Sequence, residues 1–155
     1  MPAFHQPYAD AIENQLDFPG QITLRVLVPG SQTGGTLAVF EDIVQPDIGP
    51  PRHIHHDQDE TFLVEEGQFV FEIDGTRISA GAGDAAYVPR GTVHAFRNVG
   101  THAGRLRYIF SPALETEKMF RAFHAAAAGG APSAEDMVRI AGQYGQEFVG
   151  PPLTP

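Results

Sequence analysis

The sequence predicts an all-β domain, an antiparallel barrel or sandwich followed by a pair of helices, and three observations carry that prediction. The 155 residues include 17 glycines and 13 prolines, well above the roughly 12% that the pair contributes on average, which favours a turn-rich chain. From Ile22 to Phe110 short β-branched and aromatic segments alternate with Gly, Pro and Asp clusters, the pattern of antiparallel strands. Beyond Pro112 the apolar spacing becomes helical.

Taken in order, residues 1–20 carry scattered apolar residues and end in Phe18-Pro19-Gly20, which reads as an irregular arm running into a turn. Strands are expected over Ile22–Val28, Thr36–Val44, Glu60–Glu65, Gln68–Asp74, Ala85–Pro89, His94–Asn98 and Arg105–Phe110. Glu66-Gly67 and Asp74-Gly75 are the clearest turns, the second suited to a tight hairpin because both residues tolerate positive φ. Between Leu114 and Ala128 the apolar positions 119, 120, 123, 126 and 127 mark a helix, which Gly129-Gly130 ends. Ser133 with Asp136 three residues on starts a second helix running to about Tyr144. The closing Gly-Pro-Pro-Leu-Thr-Pro reads as an extended tail. One domain is expected, with an arm at 1–20, a barrel at about 22–112 and a helical extension at 113–155.

Composition removes several functions. The absence of cysteine excludes disulfides, thiolate metal sites and a cysteine nucleophile. No apolar run is long enough for a membrane span, and no secretory leader pattern opens the chain, so a cytoplasmic protein with no membrane partner is expected. A formal net charge of -9 opposes nucleic-acid binding. The arm, the helix pair and the edges of an open barrel need covering, from which a homodimer is expected.

The histidines carry the chemistry. In an extended segment alternate side chains share a face, so His53 and His55 point one way while Ile54 and His56 point the other. Asp57-Gln58-Asp59 is short enough to turn the chain and return Glu60 beside the two imidazoles. His94 follows the rigid turn Pro89-Arg90-Gly91 and shares a face with Phe96. A lone His-x-His pair is as often a surface turn as a ligand pair. Three imidazoles and a carboxylate together suit one divalent transition-metal ion, Fe, Ni, Mn, Co, Cu or Zn, with positions left open for a small-molecule substrate.

Two motifs built on these residues resemble those of the cupin superfamily. His53-x-His55, four residues, Glu60, six residues and Gly67 form the first; Gly83, Pro89-x-Gly91, His94 and Asn98 form the second. One departure is Asp47, which stands where a glycine is usual six residues before the first histidine, with Gly49 nearby. The resemblance implies a double-stranded β-helix (jelly-roll) barrel with His53, His55, Glu60 and His94 as metal ligands. It makes Gly67, Gly83, Pro89, Gly91 and Asn98 structural.

Period-two alternation puts Phe62 on the face of Glu60 and Phe96 on that of His94. With Phe40, Phe71 and Tyr108 they are the candidate pocket residues, giving walls suited to a flat apolar substrate and poor in cationic groups. The spacing around Glu60 and the end of the chain look like small cupins grouped with quercetin 2,3-dioxygenases. That likeness implies a dioxygenase of aromatic enols, with Glu60 as ligand and as base. The same residues would also serve a non-redox cyclase or isomerase, or a module that binds or senses a small molecule.

Overall fold

Alternation of apolar and polar residues along short strands demands that each strand bury one face, and two facing sheets satisfy all of them together. The computed structural model describes residues 1–155. A short helix, α1 (Tyr8–Glu13), precedes strands β1 (Leu16–Phe18), β2 (Ile22–Val28), β3 (Ala38–Val44), β4 (Pro51–His55), β5 (Asp59–Glu66) and β6 (Gln68–Ile73). Strands β7 (Thr76–Gly81), β8 (Ala85–Val88), β9 (His94–Asn98) and β10 (Gly104–Ser111) follow. Helices α2 (Thr116–Ala127) and α3 (Ala134–Gln143) and a last strand, β11 (Gln146–Pro152), close the chain. One sheet runs β1-β2-β3-β10-β5-β8 and the other β11-β4-β9-β6-β7, all pairs antiparallel. This is the two-sheet jelly roll with a C-terminal helix pair. No helix is long and apolar enough to cross a membrane.

The core lies between the sheets. Leu106, Tyr108 and Phe110 of β10 alternate inward and meet Phe40 and Val44 of β3, Phe62 and Val64 of β5, and Phe69, Phe71 and Phe96 from the opposite sheet. Backbone sterics place the turns. Asp74 and Gly75 take φ of 48° and 77° in the β6–β7 hairpin. Gly67 turns at φ 98°, and a β-carbon there would come within 2.9 Å of the Gly104 backbone, so both conformation and space require glycine.

The structure departs from the sequence expectations in five places, one of them β4, expected only as an extended segment and found as a full strand of the second sheet. The arm is not irregular throughout: α1 follows Pro7, and Tyr8 joins Arg25 and Arg107 on the buried carboxylate of Glu41. Burial alone would raise the pKa of Glu41, but these hydrogen bonds outweigh it and leave the value lowered. β1 and β7 are additional strands; β7 is exposed along four of its six residues and shows no alternation. The C-terminal tail is a strand, β11, hydrogen-bonded to β4 with Gln146 opposite His55 and Phe148 opposite His53. β11 tolerates Gly-Pro-Pro because it lies at the sheet edge.

The helix pair is placed as its spacing predicts. Ser133 caps α3 by accepting the Asp136 amide at 3.0 Å. The inner faces of α2 and α3 meet through Met119, Phe123, Ile140 and Ala141, and this small core continues into Phe18 and Phe148 at the open end of the barrel.

Candidate metal centre

Three imidazoles come from one sheet and the carboxylate from the other. His53 and His55 lie on β4, and His94 lies on β9 directly opposite His53. Glu60 enters from β5 of the facing sheet. All four are buried, and one donor atom from each lies within 4.8 Å of the other three. His56, one residue past the cluster, is exposed and paired at 2.8 Å with Glu147.

The Pro89-Arg90-Gly91 turn holds the ligand strands in register. The Gly91 amide donates to the His55 carbonyl at 2.9 Å, and the Arg90 amide donates to Asp59 at 2.9 Å. One turn thus grips the residue beside Glu60 and the backbone of His55, then delivers His94 three positions later. Gln58 pins the intervening loop: its amide nitrogen donates to the carbonyls of Pro112 and Ala113 and to the Thr116 hydroxyl, at 3.0, 2.8 and 2.6 Å. Asn98 is fully buried and acts as a corner, donating to the carbonyls of Val44 and His102 and accepting the Gly100 amide, each at 2.9 Å. Gly83 and Gly91 take φ of 93° and 80° in their turns.

Asp47, which stands where the resemblance leads one to expect glycine, sits at φ 66°, a left-handed conformation that aspartate tolerates. The space requirement falls two residues on, at Gly49, where a β-carbon would meet the Phe96 carbonyl oxygen at 1.8 Å.

The donor set fits a metal ion on two counts. His53 Nδ1 and His94 Nδ1 donate to the carbonyls of Pro51 and Thr92 at 2.7 and 3.0 Å, which turns each Nε2 toward the cluster. Backbone support of this kind orients ligating histidines. Two donors at right angles, each about 2.1 Å from a shared ion, stand about 3.0 Å apart. The separations from Glu60 Oε2 to His94 Nε2 and His55 Nε2 are 2.9 and 3.3 Å.

Electrostatics keep the carboxylate charged. Burial raises the pKa of Glu60, but hydrogen bonds from His55 and His94 outweigh it and hold the value at about 2. Burial, reinforced by the neighbouring His94 and His55, pushes His53 well below the ordinary imidazole value. Burial also acts to lower His94, but its contact with Glu60 prevails and the value rises.

A cavity of about 210 Å³ opens from this cluster. Of the pocket residues expected from sequence, Phe62, Phe96 and Tyr108 line it, whereas Phe40 and Phe71 are buried in the core directly behind these rings. Phe120, Phe123, Met137 and Phe148 from the C-terminal extension complete the walls. Arg25 and Arg107 turn to Glu41 and Arg105 lies near Glu66, so none reaches the cavity.

Sequence reasoning misses three polar residues of the cavity, the buried Asp42 and Gln146 and, exposed at its edge, Gln21. Asp42 shares the inward face of β3 with Phe40 and Val44, and it accepts the Tyr108 hydroxyl at 2.9 Å. Burial pushes its carboxyl up to about 8, against the opposing Tyr108 hydrogen bond. An acid on the apolar face of a strand was the signal available. Gln146 is 7% exposed and its Oε1 has no hydrogen-bond partner in the protein. It carried no sequence signal, because its place opposite His55 depends on a strand edge.

Comparison with known proteins agrees with this geometry. A family model described as cupin domain matches residues 40–110. Over 87 residues the chain is 39% identical to quercetin 2,3-dioxygenase of Bacillus subtilis (strain 168), a match covering 56% of this chain and 26% of that protein. The chain thus matches about a quarter of that relative's length. Among solved structures, KdgF from Halomonas sp. superposes with a TM-score of 0.65 at 18% identity, covering 76% of this chain and 99% of that one. The polyketide cyclase RemF from Streptomyces resistomycificus gives 0.58 at 21% identity, covering 72% and 79%. At these identities the likeness to solved structures is one of fold. The matched stretch, residues 40–110, spans the strands that carry all four donors, and the sheets around them form a jelly roll, so this part of the chain is a cupin domain in sequence pattern and in fold.

Proposed function

We propose that the chain is a metal-dependent dioxygenase of aromatic enols of the flavonol type. The observation that carries the proposal is the place of Glu60: an ionised carboxylate among three histidines, at the end of an aromatic cavity without cationic side chains. The match to a quercetin 2,3-dioxygenase supports it. A redox-active divalent ion held by His53, His55, Glu60 and His94 would supply Lewis acidity and the one-electron steps that ground-state dioxygen requires.

The chain's own residues do the rest. Phe62, Phe96 and Phe110 flank a flat substrate and keep water from the reacting edge. Glu60 Oε2, within 2.9 Å of His94 Nε2, accepts the proton of an enol hydroxyl brought to the cluster. The enolate so formed is electron-rich at the carbon that dioxygen attacks. Overall, flavonol and dioxygen give the ring-opened ester and carbon monoxide.

The test is oxygen-electrode assay of protein reconstituted separately with Fe, Ni, Co, Mn and Zn, on a panel of flavonols, with carbon monoxide measured. Metal-dependent oxygen uptake with matching carbon monoxide supports the proposal. No uptake with any ion overturns it. Turnover without oxygen, with zinc as effective as iron, would point instead to a non-redox cyclase or isomerase using the same residues.

A further inference from the structure

The buried polar groups of the cavity lie at two separate places. Asp42 and Glu60 lie on the same sheet, on strands that flank β10, but in different rows: Phe110 is opposite Glu60 and Leu106 is opposite Asp42. Four residues of β10 correspond to about 13 Å along the strand. The row between them is aromatic, with Phe40, Tyr108 and Phe62 in register. Asp42 is 4% exposed and lines the cavity. Tyr108 donates to one of its oxygens, and the Tyr108 ring is stacked on Phe40 at 5.6 Å. No lysine or arginine lines the cavity to neutralise the acid.

A carboxyl group kept in an apolar interior with one neutral partner costs folding stability. In a largely apolar pocket the few polar groups fix which ligand binds and in which orientation. The row offset sets the Asp42 backbone apart from that of Glu60 along the barrel, although the Glu60 charge still reaches its carboxyl, so the two groups meet different parts of one ligand.

We propose that Asp42, positioned by Tyr108, is a specificity-determining contact that takes a ligand hydroxyl remote from the chelating edge. The pocket therefore selects planar polyhydroxylated aromatics over analogues with the same chelating edge and no distant hydroxyl. The inference rests on the flavonol reading above and deepens it.

Zinc-loaded protein kept under nitrogen is titrated with kaempferol and with 3-hydroxyflavone, which keeps the chelating edge and lacks the remote hydroxyls. Wild-type protein is expected to bind kaempferol about tenfold tighter, the value of one buried hydrogen bond to a carboxyl. Asp42→Leu is expected to bring the two affinities within about twofold of each other, with Tyr108→Phe intermediate. Zinc content and melting temperature report whether each variant folds, and Asp42→Ala replaces Asp42→Leu if the larger side chain disrupts the cavity. An unchanged ratio in the folded variants overturns the assignment, as does equal loss of both ligands. Equal binding of the two by the wild type overturns the role of Asp42 and leaves the flavonol reading standing. Binding of neither overturns both, whereas tight, selective binding without oxygen uptake overturns only the dioxygenase chemistry.

Discussion

Phe148 stands edge-on to His53, with ring centroids 6.4 Å apart and planes at 75°, and it meets Phe123 of α2 at 6.3 Å. The last strand therefore walls the strand that carries His53 and His55 and ties it to the helix pair. Phe148→Ala is expected to lower stability by about 1–2 kcal/mol, as befits a half-buried ring. Urea unfolding at neutral pH measures this, and an unchanged midpoint would show that the contact is incidental.

His94→Ala should cut metal affinity by more than about tenfold, which is already the cost of losing a supporting hydrogen bond to a ligand. His56→Ala should leave it unaltered, since the His56 imidazole is exposed and bonded to Glu147 rather than to the cluster. Metal analysis after dialysis against a weak chelator decides, and equal losses in the two variants would contradict the face assignment.

Much of this centre was legible because ligand spacing and turn chemistry are local. His53 and His55 lie two apart on an extended strand, and Pro89-Arg90-Gly91 is a turn in any context. β11 was not legible, because its Gly-Pro-Pro reads as a terminator and only the free edge of β4 makes it a strand. Helix α1 has six residues and depends on Tyr8 reaching Glu41 across the barrel surface. Phe40 and Phe71 show the limit of alternation: it identifies the inward face, but not whether that face meets the cavity or the packed core. Asp42 lay on a legible face, and only its burial beside Tyr108 distinguishes it from a strand acid at the surface.

Asp42 also gives a pH signature. Its carboxyl has a value of about 8 in the folded chain, against 3.8 for the unperturbed group. Between about pH 4 and about pH 8 the folded state holds a proton that the unfolded state has released, so stability falls as pH rises through that window. Asp42→Asn keeps the acceptor for Tyr108 and removes the titration. Its stability advantage is expected to grow from near zero at the acid end to on the order of a few kcal/mol at the alkaline end. Thermal and urea unfolding across the window measure it, and parallel curves for the two proteins would refute the assignment.

Gln58→Leu should destabilise the chain by about 2–3 kcal/mol, because the carbonyls of Pro112 and Ala113 and the Thr116 hydroxyl lose the amide whose two hydrogens they share. The loss should appear as a lower urea midpoint together with greater proteolysis at the start of α2. A midpoint matching the wild type would mean that the acceptors find other partners.

The division of the donors between the sheets has a mechanical consequence. His53, His55 and His94 ride together on one sheet, while Glu60 rides on the other. The His53–His94 register is set by pairing within one sheet, whereas the distances from Glu60 to the histidines depend on the spacing between the sheets, which the Pro89-Arg90-Gly91 turn holds through His55 and Asp59. A substitution that alters packing between the sheets therefore changes the reach of the carboxylate and leaves the spacing of the imidazoles as it is.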